Sequence, residues 1–206
     1  MKNSSDTSMG PGRRAGRSTS RNDILEAARA RFARHGYVGT TVRAVAVDAR
    51  VDAALVHYFF GTKTSLFAAA MALPVNPADV LAGVLTDGVE DLGERLARAF
   101  LRIWDDPAAG APLVGLVRSA ASHDEAATML REFAGQEMLA RLAGALDDPR
   151  AELRATLVGA QLLGVAMGRY VLRIEPLASA NHDTLASALA PTLQRYLTGE
   201  LSPRDA

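Results

Sequence analysis

The chain has 206 residues, enough for one medium domain or a small domain joined to a larger one, and 49% of them are apolar, enough to bury a sizeable core. It has no cysteine, which excludes disulfides, thiolate metal sites and cysteine nucleophiles. The formal net charge is zero, yet residues 1–70 carry 11 Lys/Arg against 5 Asp/Glu, and residues 71–206 carry 12 against 18. A basic first third ahead of an acidic remainder suits a polyanion-binding head on a body with another task; chance plus a basic tail is the alternative. No apolar run is long enough for a membrane span, and the basic N-terminus lacks the apolar stretch of a signal peptide. No membrane partner is expected, and a reducing cytoplasm fits.

Residues 1–19, rich in Ser, Gly, Thr and Arg, read as a disordered basic arm. Arg13, Arg14 and Arg17 suit phosphates or a minor groove; a solvated tail is the alternative. The first helix is predicted to open at Ser20, where Ser20-x-x-Asp23 has the form of a capping box, and to put Ile24, Leu25, Ala28 and Phe32 on one face. Gly36 suits the left-handed position past its end. Thr40-Thr41 opens a short helix with Val42, Val45 and Ala46 inward, Ala49-Arg50-Val51 makes a tight turn, and Asp52 caps a second short helix ending at Phe59-Phe60-Gly61. Thr62 caps a further helix with Leu66 and Phe67 on its apolar side.

Longer amphipathic segments follow. Asn76-Pro77 starts a helix with Pro at its first position. Residues 89–105 carry Leu92, Leu96, Phe100 and Trp104 on one side. Pro112 opens a short apolar helix, Ser122-x-x-Glu125 a second capping box, Asp148-Pro149 a long helix to about Ile174, and Asn181 a last helix stopped at Gly199. No segment alternates like a strand. The expected fold is all-α with about nine helices: a three-helix head over 20–66 and a helical ligand-binding and dimerisation domain over 67–206.

Two short helices joined by a three-residue turn in a basic context describe a helix-turn-helix over residues 40–67. Its second helix would enter the major groove of double-stranded DNA with Ala53, Ala54, His57 and Tyr58 outward. Thr41 and Lys63, at helix N-termini, and Arg43 suit phosphate oxygens. This wording resembles the DNA-binding domain of TetR-family regulators: Gly-aromatic-x-x-Thr-Thr, a turn, Leu-Tyr-x-x-Phe, then x-Ser-Lys-x-x-Leu, here written from Tyr37 through Thr40-Thr41, Ala53-Ala54-Leu55-Val56-His57-Tyr58-Phe59-Phe60 and Lys63 to Leu66-Phe67. The match covers roughly residues 22–70. The resemblance implies a homodimeric repressor that reads a near-palindromic operator and is released by a small-molecule effector, with Thr41, Tyr58 and Lys63 at phosphate-contacting positions and Ala53, Ala54 and His57 at base-facing ones. Two residues depart from the pattern. Arg50 stands where glycine is usual, at a turn position favouring positive φ, with a phosphate contact as a gain; His57 stands where tyrosine is common. A second reading, a dimeric small-molecule-binding helical protein with weak or lost DNA binding, rests on Arg50 and the alanine-rich recognition helix.

In the body, residues 153–171 are apolar on more than one side and carry Gly159, Gly164 and Gly168; with Leu185, Leu189, Leu193 and Tyr196 of the last helix they are expected to build a dimer face, an intramolecular core being the alternative. Phe100, Trp104, Met129, Phe133, Gln161 and Met167 are candidates for an effector pocket, though such side chains also serve as plain core. Gln161 and Arg169 are polar within an apolar helix, where they could meet a ligand, solvent or a partner subunit. His35, His57, His123 and His182 form no metal-spaced pair, so neither metal nor cofactor is expected. No nucleophile elbow, phosphate loop or paired-carboxylate signature points to an enzyme.

Overall fold

The computed structural model describes residues 12–201, with side chains from Ser20 onward. Its regular structure is helical throughout. The head contains α1 (Gly12–His35), α2 (Val42–Asp48), α3 (Ala53–Phe60) and α4 (Lys63–Ala70). The body contains α5 (Pro77–Val84), α6 (Leu92–Asp105), α7 (Pro107–Ser122), α8 (Asp124–Phe133), α9 (Ala140–Gly144), α10 (Ala151–Ala166) and α11 (His182–Thr198). A π-helical turn, Ala134–Leu139, fuses α8 and α9 into one rod, and another, Met167–Val171, extends α10.

Several starts differ from those expected. α1 begins at Gly12, so Ser20 lies inside the helix and is not its cap. Arginine and alanine are good helix formers, and the run 13–17 carries the helix back past Ser20. Of the expected arm, residues 12–19 therefore belong to α1, and residues 1–11 lie outside the described residues, as do the side chains of Arg13, Arg14 and Arg17. α7 opens at Pro107 rather than Pro112, because the Asp106 carboxylate accepts from the amides of Ala108 (2.7 Å) and Ala109 (3.4 Å). Pro107 then occupies the first turn, where its missing N–H costs nothing. Ser122 ends α7 and turns its Oγ back to the Arg118 carbonyl, so the second capping box does not form. Asp148 does not cap α10; it accepts from the Arg150 amide at 2.7 Å and pairs with Arg154 at 2.8 Å.

Short helices such as α2 and α3 are marginal alone and depend on packing. Here α1 supplies the lid: Ile24, Ala28 and Phe32 are fully buried against Val45, Val56 and Phe67. This core continues into the body through Met129 and Phe133 of α8. Phe133 stacks on Phe67 at 4.5 Å and meets Tyr37 edge-on at 5.3 Å.

The body core is centred on α6 and α11. Gly93 allows their close approach: a Cβ there would lie 2.5 Å from the Ala190 carbonyl oxygen and 2.6 Å from the Gln194 amide nitrogen. Gln194 clamps the contact, accepting from the Gly93 amide (2.8 Å) and donating to the Val89 carbonyl (3.0 Å). Leu185, Leu189 and Leu193 are buried in this core, with Leu96 and Leu101 among its members, while Leu185 and Leu189 also border an open groove between α10 and α11; Tyr196 is half-buried beside the core. Arg154, 3% exposed, donates to the carbonyls of Tyr196 (2.8 Å) and Gly199 (2.9 Å), so a buried guanidinium takes up the end of α11.

Candidate nucleic-acid interface

Local chemistry sets the α2–turn–α3 unit. Thr41 caps α2 by accepting from the Ala44 amide at 3.2 Å, and Asp52 caps α3 by accepting from the Ala54 amide at 2.7 Å. Between them Arg50 sits at φ +56°, and the turn is closed by the Val51 amide donating to the Ala46 carbonyl at 2.9 Å. The left-handed position expected there is thus occupied by an arginine, and its side chain is exposed. Thr62 caps α4 through the Ser65 amide. Gly36 and Gly61 take positive φ, +69° and +71°, at the ends of α1 and α3.

Thr41, Arg43, Arg50, Ala54, His57 and Tyr58 are all exposed on the head, Tyr58 by 65%, while Ala53 is half-buried. The His57 ring is held, with Nδ1 2.8 Å from the Gly61 carbonyl oxygen. A carbonyl only accepts, so Nδ1 carries a proton; in the neutral tautomer this leaves Nε2 as an acceptor.

Lys63 departs from the expected arrangement. Its ammonium lies 4.3 Å from the centroid of the Tyr37 ring, between head and body, and not with the exposed group. Burial lowers its pKa, opposed by the charges of Glu137 and Glu132. These two carboxylates, which tie the segment after α1 to the α8–α9 rod, were not singled out from the sequence. Tyr37 donates to Glu137 Oε1 at 2.7 Å, and the Val38 amide donates to Glu132 Oε2 at 2.9 Å. The bonds join residues about a hundred positions apart, and no local pattern announces them.

Of the pocket candidates, the structure brings together Phe100 and Trp104. They line an apolar cavity of about 120 Å³ with Leu96, Ile103, Met138 and Leu162. Met129 and Phe133 are instead buried under the head, and Gln161 borders a surface groove between α10 and α11. Met167 lies in the π turn after α10, outside the cavity lining. Arg169 is tied to Asp105 and to the carbonyls of Leu177 and Ala180.

Residues 24–70 match the family model described as bacterial regulatory proteins, tetR family, and residues 90–197 match that of the tetracyclin repressor-like C-terminal domain. A solved TetR-family regulator from Streptomyces coelicolor is 39% identical, with a TM-score of 0.56 over 91% of this chain and 99% of its own. The chain belongs to the TetR family. As a TetR-family protein it is a transcriptional regulator and not an enzyme. An HTH-type transcriptional repressor, also from Streptomyces coelicolor, is 38% identical over 66 residues; this match spans 28% of the present chain and 34% of the repressor's length. The TetR-family pattern places the helix-turn-helix of this chain inside the first matched segment. No described helix is long and apolar enough to cross a membrane.

Proposed function

We propose that the protein is a ligand-responsive repressor that acts in the cytoplasm, binds a near-palindromic operator as a homodimer, and releases it when a small-molecule effector occupies the body. The observation that carries this reading is the exposed face of α3, with Ala54, His57 and Tyr58 outward on a basic head and caps at both short helices. In the bound state α3 lies in the major groove. Thr41, Arg43, Arg50 and Tyr58 contact phosphates, and Ala53, Ala54 and His57 face the bases. Lys63 joins the phosphate contacts by leaving the Tyr37 ring, which forfeits only about 0.5–1 kcal/mol of cation–π attraction at a half-exposed site.

The α10 face carrying exposed Leu153, Ala160, Leu163 and Gly164 supports the dimer. Exposed leucines flanking small residues suit a second copy of the same helix. The two heads then read half-sites roughly 34 Å apart, one DNA turn. The cavity beneath Phe100 and Trp104, which shares Met138 with the α8–α9 rod that touches the head, supports the effector site.

Selection from randomised duplexes, followed by anisotropy titration of the enriched sequence at several salt concentrations, tests the reading. A palindromic site bound by a dimer, with affinity falling steeply as salt rises, is expected. Absence of any sequence-specific, salt-sensitive binding would refute it and favour a helical small-molecule binder.

A further inference from the structure

The apolar cavity has a polar neighbour. Trp104 is a wall of both the 120 Å³ cavity and an open pocket of about 610 Å³ that also contains Asp105, Arg118, Arg169, Tyr170 and Arg173. Trp104 stacks on Tyr170 at 5.2 Å and leans on Phe100 at 5.5 Å, so one aromatic row runs from the cavity into the pocket.

The charges of the outer pocket are unequally committed. Asp105 is fully engaged: Oδ1 accepts from the Tyr170 hydroxyl (2.8 Å) and from Arg169 (3.2 Å), and Oδ2 lies 3.1 Å from His182 Nδ1. Asp106 caps α7. Arg169 spends its remaining donors on two backbone carbonyls. Arg118 and Arg173 are different. Both are exposed; Arg118 makes one long bond of 3.4 Å to the Val171 carbonyl, and Arg173 makes no hydrogen bond or ion pair among the described residues. Arg173 also occupies φ +55° at the end of the α10 rod, a conformation that glycine adopts freely and a side chain does not. Two arginines with donors to spare thus line the same pocket as Trp104 and Tyr170, while both carboxylates of that pocket are occupied.

We propose that the effector is an amphiphilic carboxylate: a ring-sized apolar body seated beneath Phe100 and Trp104, with its acid group paired to Arg118 and Arg173. The inference rests on the ligand-responsive reading above. A cavity of this size holds roughly one benzene-sized group. No ionisable side chain lines it, so a charged group is excluded from its interior. The head must therefore lie in the outer pocket, where a carboxylate gains charge-assisted bonds from two guanidinium groups. A cationic head would meet those two arginines and carboxylates already bound to other donors.

Trp104 is the single tryptophan of the chain, so its fluorescence reports occupancy of the full-length protein directly. ω-Phenylalkanoates of two to six methylenes are titrated beside the matched alcohols and primary amines. At least one carboxylate is expected to bind about tenfold or more tightly than its alcohol and amine. In the double variant Arg118→Gln, Arg173→Gln its affinity should fall to that of the alcohol, with the alcohol unchanged. Both positions are exposed, and an unaltered thermal melt verifies that the variant is folded. The proposal is overturned if no carboxylate outcompetes its alcohol, if an amine binds best, or if the preference survives in the double variant. Operator binding is measured in parallel: failure of the carboxylate series with intact operator binding sinks this inference alone, whereas carboxylate binding without operator binding or release sinks the regulatory reading and leaves the site.

Discussion

Replacing Tyr37 with phenylalanine isolates the link between head and body. The hydroxyl donates to Glu137 at 2.7 Å, and the ring remains to pack against Phe32, Phe67 and Phe133. A hydrogen bond to a charged group contributes about 1.5–3 kcal/mol net. Glu137 is 19% exposed and keeps Arg141 at 3.0 Å after the substitution, which puts the loss near the lower end, about 1.5 kcal/mol. For a chain of this length that corresponds to a fall of roughly 3–6 °C in Tm. Thermal melts of Tyr37→Phe, Glu137→Gln and the double variant close a cycle whose coupling should be about 1 kcal/mol or more. A coupling within about 0.3 kcal/mol of zero would refute the claim that this bond ties head to body. The pH dependence gives a second check. Burial raises the Tyr37 pKa, and the Glu137 hydrogen bond and charge raise it further. With the folded value above the unfolded value of 10.0, the contribution is intact below pH 10 and is lost as pH rises beyond it. Tyr37→Phe should lack that alkaline loss.

Further substitutions test other parts of the structure. Gly93→Ala forces apart the backbones of α6 and α11 and should cost about 1–3 kcal/mol, read as a lower Tm; an unchanged melt would contradict the close approach. Arg154→Ala removes two bonds to the end of α11 and should cost about 3 kcal/mol in denaturant unfolding. Burial pulls the Asp105 pKa up, but hydrogen bonds from Tyr170 and His182 and the charge of Arg169 outweigh it, so the folded value lies below 3.8. Its stabilisation is therefore present above that pH and lost as pH falls through the folded value; Asp105→Asn should flatten this acid limb of the melting curve.

The head was legible because its determinants are local. Thr41, Asp52 and Thr62 cap the residues that immediately follow them, and Arg50 betrays its turn by standing where a side chain is least comfortable. The body was less legible because an apolar stripe does not name its partner. Leu185, Leu189 and Leu193 have the spacing of a dimer seam and of a core alike; the approach of α6 through Gly93 gives them a place in the protomer's core, while Leu185 and Leu189 still border the groove between α10 and α11. Met129 and Phe133 have pocket chemistry but lie where α8 passes beneath Phe67. Arg118 and Arg173 are 55 positions apart and line one pocket only because the α10 rod ends beside α7. Ser20 and Ser122 failed as caps for a simpler reason: the residues before each are themselves helix-competent, and a cap matters only where the helix would otherwise stop.

The make-up of α3 bears on how the proposed operator is read. Alanine at 53 and 54 offers bases no hydrogen bond, only methyl contact of the kind that suits thymine. The one polar side chain among those proposed to face the bases is His57, whose Nδ1 is already committed to Gly61. In its neutral form Nε2 can only accept, which matches the amino groups of adenine or cytosine in the major groove. Selection with the wild-type protein and with His57→Ala should therefore enrich different bases at the position under His57. An unchanged preference would place His57 off the bases. Recognition would then lean on phosphate contacts and on the deformability of the operator.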